Sequence, residues 1–164
     1  MGVQLLTYTR AIDVIVTPSP DAVDIPNPAL FTVSGTNIDY TAFGIKSSVD
    51  FMKYGVRPGD IIYNITSSKA AYVLGYYDPP SPNSLILSAD IFLAGGESFE
   101  VYQGAQNDAS KNGCVIMTTS FSEITVVTLG GDTVFFAGIL GGTILPVQVR
   151  QVIGNSGTQL IALW

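Results

Sequence analysis

Histidine is absent from these 164 residues, cysteine occurs once, at Cys114, and only 12% of positions are Asp, Glu, Lys or Arg. That charged share is about half of what soluble proteins usually carry. Each shortage closes a class of chemistry. Without histidine there is no Ser-His-Asp or Cys-His couple and no imidazole metal ligand. One cysteine forms neither an internal disulfide nor a thiolate cluster. The basic residues Arg10, Lys46, Lys53, Arg57, Lys69, Lys111 and Arg150 are scattered along a chain of formal charge -6 and pI near 4.2, so no stripe of phosphate-neutralising charge invites nucleic acid. Long hydrophobic runs are missing too. No stretch approaches the roughly 18 apolar residues of a membrane helix. The opening residues lack the positive region and apolar core of a signal peptide, and Leu6 breaks the myristoylation pattern after Gly2.

What the chain has instead is apolar residues in short pieces. Hydrophobic residues make up 47% and mean hydropathy is +0.39. The pieces are rich in Val, Ile, Thr, Tyr and Phe and are punctuated by Gly, Pro, Asn, Asp and Ser, which is the pattern of strands and turns. Strands are expected over residues 8–16, 40–45, 61–66, 70–76, 84–87, 98–102, 114–118, 123–128, 133–137, 146–153 and 159–163. The fold class is therefore all-β: barrel or sandwich modules, an extended proline-rich N-terminal arm and very little helix. Ile124-Thr125-Val126-Val127 is apolar on both faces and calls for packing on two sides. The best helix candidate is 47–54, about two turns, with Ser47 or Ser48 as cap and Gly55 as stop.

Pro18, Pro20, Pro26 and Pro28 crowd one segment, which reads as an extended arm because proline removes ladder donors and holds φ near −65°. Residues 104–113 contain no large apolar side chain and mark a module boundary. The expected organisation is a strand and arm over 1–46, a first β module over 47–103, a linker over 104–113 and a second β module over 114–164.

Three local phrases carry a mechanism. In Arg57-Pro58-Gly59-Asp60, proline and glycine fit the central positions of a type II turn, and Asp60 can bond nearby backbone as the next strand begins. Gly130-Gly131-Asp132 offers residues that tolerate positive φ at a hairpin. Leu160, Ile161, Ala162, Leu163 and Trp164 form a wholly apolar stretch. It is either the last strand of its own module or a strand or anchor shared with a neighbouring subunit. Low charge with high apolar content points to burial between subunits, and the candidate assembly contacts are Pro18, Pro20, Pro26, Pro28, Leu160, Ile161, Leu163 and Trp164. The carboxylates make a poor catalytic set. Glu97 and Glu100 fall on opposite faces of a strand, and with Asp21 and Asp24 they read as solvated surface charge. Cys114 reads as a small buried hydrophobe. No catalytic residue, metal ligand or cofactor site is expected.

The combination of Gly59-Asp60-Ile61, the strand and corner over 85–92, and Phe99-Glu100-Val101-Tyr102 resembles a module of virion structural proteins of tailed bacteriophages. The stretch from Thr128-Leu129-Gly130-Gly131 through Gly141-Gly142-Thr143 to Trp164 is similar to the closing module of small phage head-associated β proteins. The resemblance implies a non-enzymatic capsid cement or decoration protein on the capsid exterior of a virion, made in the host cytoplasm. Its partner would be the major capsid protein, it would self-associate, with a trimer favoured, and it would bind neither nucleic acid nor membrane. An acidic body suits the outer side of a shell better than the DNA-filled side. Two alternatives stay open: a receptor-binding, head-fibre or tail-associated β module, and a carboxylate-based hydrolase.

Overall fold

The computed structural model describes residues 10–17, 22–77, 81–104, 113–157 and 159–164. In chain order the elements are β1 (Ala11–Asp13), a 3-10 turn (Pro28–Leu30), β2 (Phe31–Thr41), β3 (Gly44–Ser47), β4 (Ile61–Asn64), β5 (Lys69–Tyr76), β6 (Ser84–Leu87), β7 (Ser98–Tyr102), β8 (Val115–Thr118), β9 (Ser122–Thr128), β10 (Thr133–Ile139), β11 (Val149–Asn155) and β12 (Leu160–Leu163). The protein is all-β, as its sequence predicts.

Six strands close a barrel in the order β2-β3-β6-β5-β4-β7. Its interior is filled by alternate residues of each strand, among them Ile45, Ile62, Val73, Leu85, Leu87 and Val101, with Phe51, Phe92 and Phe99 packed together in the same core. The Phe99 ring lies 5.7 Å from Phe51 and 6.2 Å from Phe92, the latter edge to face. Each of these fully buried rings contributes about 2 kcal/mol of apolar burial. Gly35 sits inside β2 because the Phe99 ring needs the room: a Cβ there would stand 3.0 Å from that ring and 2.7 Å from Val49.

The second unit packs the three-stranded sheet β1-β12-β8 on the three-stranded sheet β10-β9-β11. Ile116, Ile124, Val126, Val149, Val152, Leu160 and Ala162 form the shared core. Cys114 is buried there, donating its S–H to the Val149 carbonyl at 3.4 Å, and burial pushes its thiol up to about 12.

Several expectations change. A strand expected over 40–45 is in fact the hairpin between β2 and β3, turning at Ala42 and Phe43. The longest strand, β2, falls in the region assigned to the N-terminal arm, so the barrel begins at Phe31 and not at residue 47. Ser34-Gly35-Thr36-Asn37 imitates loop punctuation, but the first three of these residues pair with β7 and Asn37 pairs with β3. No helix forms over 47–54. A single turn stands there, capped by the Asp50 side chain accepting from Lys53 N–H, and closed by Val56 N–H donating to the Phe51 carbonyl with Gly55 at φ 74. Burying Phe51 completely in the barrel is what this turn accomplishes.

The Pro58-Gly59 turn is as expected, with Gly59 at φ 93 and Asp60 N–H donating to the Arg57 carbonyl at 3.1 Å. Asp60 is buried, and its carboxylate accepts from the N–H groups of Arg57 and Gly104 at 3.0 and 2.9 Å. It thus ties the turn before β4 to the chain leaving β7. Replacing Asp60 with alanine strands two N–H donors, and we expect Asp60→Ala to lower unfolding stability by about 3 kcal/mol. Chemical denaturation of both proteins checks this, and a loss below 1 kcal/mol contradicts the assignment.

Candidate docking surface

The contacts proposed from sequence are mostly spent within the chain. Pro18 and Pro20 lie outside the described residues. Pro26 is buried, and Pro28 opens the 3-10 turn with Asn27 capping the N–H of Ala29 at 2.8 Å. The arm's described part, residues 22–28, is no free extension. Ile25 N–H donates to the Arg150 carbonyl at 2.8 Å, Asp24 pairs with the Arg150 guanidinium at 3.0 Å, and Val23 packs on Ile61 and Ala70. Two barrel tyrosines hold the N-terminal strap, whose described residues are 14–17 and 22–28. Tyr63 accepts from Ile15 N–H at 2.9 Å, and Tyr72 accepts from Asp24 N–H at 3.0 Å. Burial raises both phenols above the ordinary tyrosine value.

Residues 160–164 are likewise internal. β12 is the central strand of its sheet, with β1 on one edge and β8 on the other. Leu160 is buried, Ile161 and Leu163 are half-buried on the opposite face, and Trp164 packs against the core while its backbone N–H donates to the Arg10 carbonyl. Of the two readings left open for this stretch, the strand of its own module is the one formed.

The exposed apolar side chains lie elsewhere, and sequence reasoning missed them. At one end of the barrel the β2–β3 hairpin carries Ile38, Tyr40 and Phe43, at 63%, 42% and 52% exposure. Leu93 joins them at 57%, from a loop whose Gly95 lies against the Ile38 carbonyl. Tyr77 bonds Thr41 through their hydroxyls at 2.7 Å and covers Gly44, where any Cβ would stand 2.5 Å from its ring. Between Tyr40, Thr41, Ile45, Lys46, Tyr77 and Ser84 there is a shallow pocket of about 160 Å³.

Two features make this end rigid. Phe43 has φ 61, a left-handed conformation that a bulky residue rarely adopts. Its carbonyl accepts from Leu87 N–H at 2.8 Å, so the pairing of β3 with β6 enforces the turn and projects the ring. The Leu93 loop is held by Glu97, which sequence reasoning placed on the surface. Glu97 is 7% exposed, and one carboxylate oxygen accepts from Leu93 and Ala94 N–H at 2.7 and 3.0 Å. Asn37 clamps the other side, its amide donating to the Ala94 carbonyl and accepting from Glu97 N–H. Burial pushes the Glu97 carboxyl up, but these N–H donors and the Asn64 amide outweigh it and hold it below the ordinary glutamate value. A signal was available in Asn37, Gly95, Gly96 and Glu97, the polar set of a tight loop, yet nothing local pairs residue 37 with residue 97.

Among the described residues, no three His, Cys, Asp or Glu side chains gather closely enough to hold a metal ion, and no helix is long and apolar enough to cross a membrane. No family model matches the chain, and neither does any curated protein or solved structure compared with it.

A carboxyl whose folded value is depressed stabilises the fold when ionised, so its contribution is full above the ordinary glutamate range and is lost as pH falls through it. We expect the melting temperature to fall below about pH 5, with a smaller fall in Glu97→Gln than in the native chain. Parallel thermal melts measure the difference, and equal pH dependence in the two proteins contradicts it.

Proposed function

We propose that this protein is a non-enzymatic capsid cement or decoration protein of the tailed-phage type, which stabilises a head by bridging capsid subunits. The observation that carries this reading is the rigid apolar end of the barrel. Ile38, Tyr40, Phe43 and Leu93 stand in water on an otherwise acidic protein. Exposed apolar surface of this kind marks contact sites. The strain at Phe43 supports the same reading, because a phenylalanine at φ 61 costs stability that a glycine would not. A partner that receives the projected ring would offset that cost.

The mechanism is burial. Phe43 and Leu93 act as anchors into apolar recesses on the shell, with Asp39 and Lys46 at the rim of the neighbouring pocket setting orientation. Each copy gains little alone, but a self-associating protein presents several equal surfaces to several shell subunits, and their binding multiplies. The acidic body keeps copies apart from one another where they are not in contact and favours the outer face of the shell.

Phe43→Gly separates docking from folding. It relieves the left-handed strain, so its unfolding stability should equal or exceed that of the native protein by about 1 kcal/mol. Its binding to heads that lack the protein should fall at least about tenfold, as for loss of one interface anchor. Purified protein is added to such heads, and occupancy and heat resistance are measured. Native protein that neither binds nor protects the heads overturns the cement reading. Phe43→Gly binding with native affinity overturns the assignment of the hairpin.

A further inference from the structure

We infer that the outer edge of β10 is a self-pairing strand, through which two copies of this chain join their sheets about a two-fold axis. Among the described residues, the other strand edges are absent, covered or very short. The barrel has none. The free edge of β11 is covered by the N-terminal strap, with Thr17 N–H donating to the Val152 carbonyl and Ile25 N–H to that of Arg150. The outer edge of β8 is taken by residues 142–149, where Leu145 N–H donates to the Ile116 carbonyl and Cys114 bridges Val149. β1 is three residues long and carries Asp13. That leaves β10, which among the described residues pairs with β9 alone.

Natural edge strands are blunted by charge, proline or shortness. β10 runs seven residues with neither proline nor charge, and no charged residue occurs between Asp132 and Arg150. Its one irregularity is the bulge between Phe136 and Ile139, with Gly138 at φ 68, which leaves the stretch before it straight. The hairpin fixes which backbone groups are free. Thr128 N–H donates to the Asp132 carbonyl at 2.9 Å, so in antiparallel alternation Val134 and Phe136 bond β9, and the N–H and C=O of Thr133 and Phe135 point outward. The Phe135 ring is 60% exposed on the face away from the core.

A second copy fits this edge better than a foreign strand. Antiparallel pairing centred on Val134 sets Thr133 opposite Phe135 of the other copy, twice. That exchanges about four backbone hydrogen bonds and makes two aromatic to β-branched pairs, a favourable cross-strand combination. The charge pattern permits it: Asp132 lies four residues along the strand from its own counterpart, roughly 13 Å, beyond the screening length at physiological salt. The contact is two-fold, where the family resemblance implied three-fold. It does not rest on the capsid reading.

The test uses the native chain and needs no partner. Sedimentation velocity should show a concentration-dependent dimer. Residue-resolved amide exchange should show Val134 and Phe136 slow at all concentrations, with Thr133 and Phe135 slow in the dimer and fast on dilution. Phe135→Lys should weaken the dimer at least about tenfold, as like charges meet near the axis, while Val134 and Phe136 stay protected. Should that protection be lost, Thr133→Lys replaces it. A monomer at every concentration overturns the inference. So does a dimer in which Thr133 and Phe135 exchange fast, or one that the lysine variant leaves intact.

Discussion

β2 has two jobs that pull in the same direction. Its first half, from Phe31 to Thr36, is zipped to β7, and its second half, from Asn37 to Thr41, is zipped to β3. By turning from one partner to the other across an irregularity in register it joins the first strands of the barrel to the last, and the ring closes. Closure removes every free edge from this unit. It also places the three buried phenylalanines where each touches another, and the tight turn that hands the chain from β2 to β3 holds Phe43 at its left-handed φ, with its carbonyl bonded to Leu87 N–H.

The two units are joined by a different physics. Residues 22–27 of the strap carry Val23 onto the barrel and Ile25 into the sandwich. Its backbone is satisfied by a phenol on one side and a strand carbonyl on the other. Asp24 adds one ion pair with Arg150 and a bond from the Gln151 amide at 2.7 Å. A proline-rich segment suits this role because it has fewer states to lose on being fixed. The same property would have suited an arm reaching for a neighbour, and composition alone does not separate the two uses.

Charge and apolar exposure are distributed to complement each other. Buried carboxylates at Asp60 and Glu97 hold turns by accepting backbone N–H groups, while β10 itself carries no charge. A protein of low charge can in this way leave selected surfaces unprotected without losing the order of the loops that present them. That division is consistent with selection for contact surfaces, which is the sense in which the missing histidine and scarce charge fit the proposed role.

How much was legible in the sequence follows from which interactions are local. Strands β6 and β7 were predicted with the bounds they have, and β4, β5, β9, β10 and β12 nearly so, because alternation and turn residues act within a few positions. The type II turn at Pro58-Gly59 was legible for the same reason. β2 was not, since its glycine and polar residues make sense only beside the Phe99 ring and the β7 ladder, some sixty residues away. Composition and local pattern by themselves determined an all-β chain without histidine chemistry and with an apolar final stretch. Tertiary structure alone decided that this stretch is a central strand, that Glu97 is buried, and that Ile38, Tyr40 and Phe43 stand exposed on a hairpin and Phe135 on an unprotected edge. Those outcomes depend on which distant strands pair, and the pairing is set by the summed packing of the whole core.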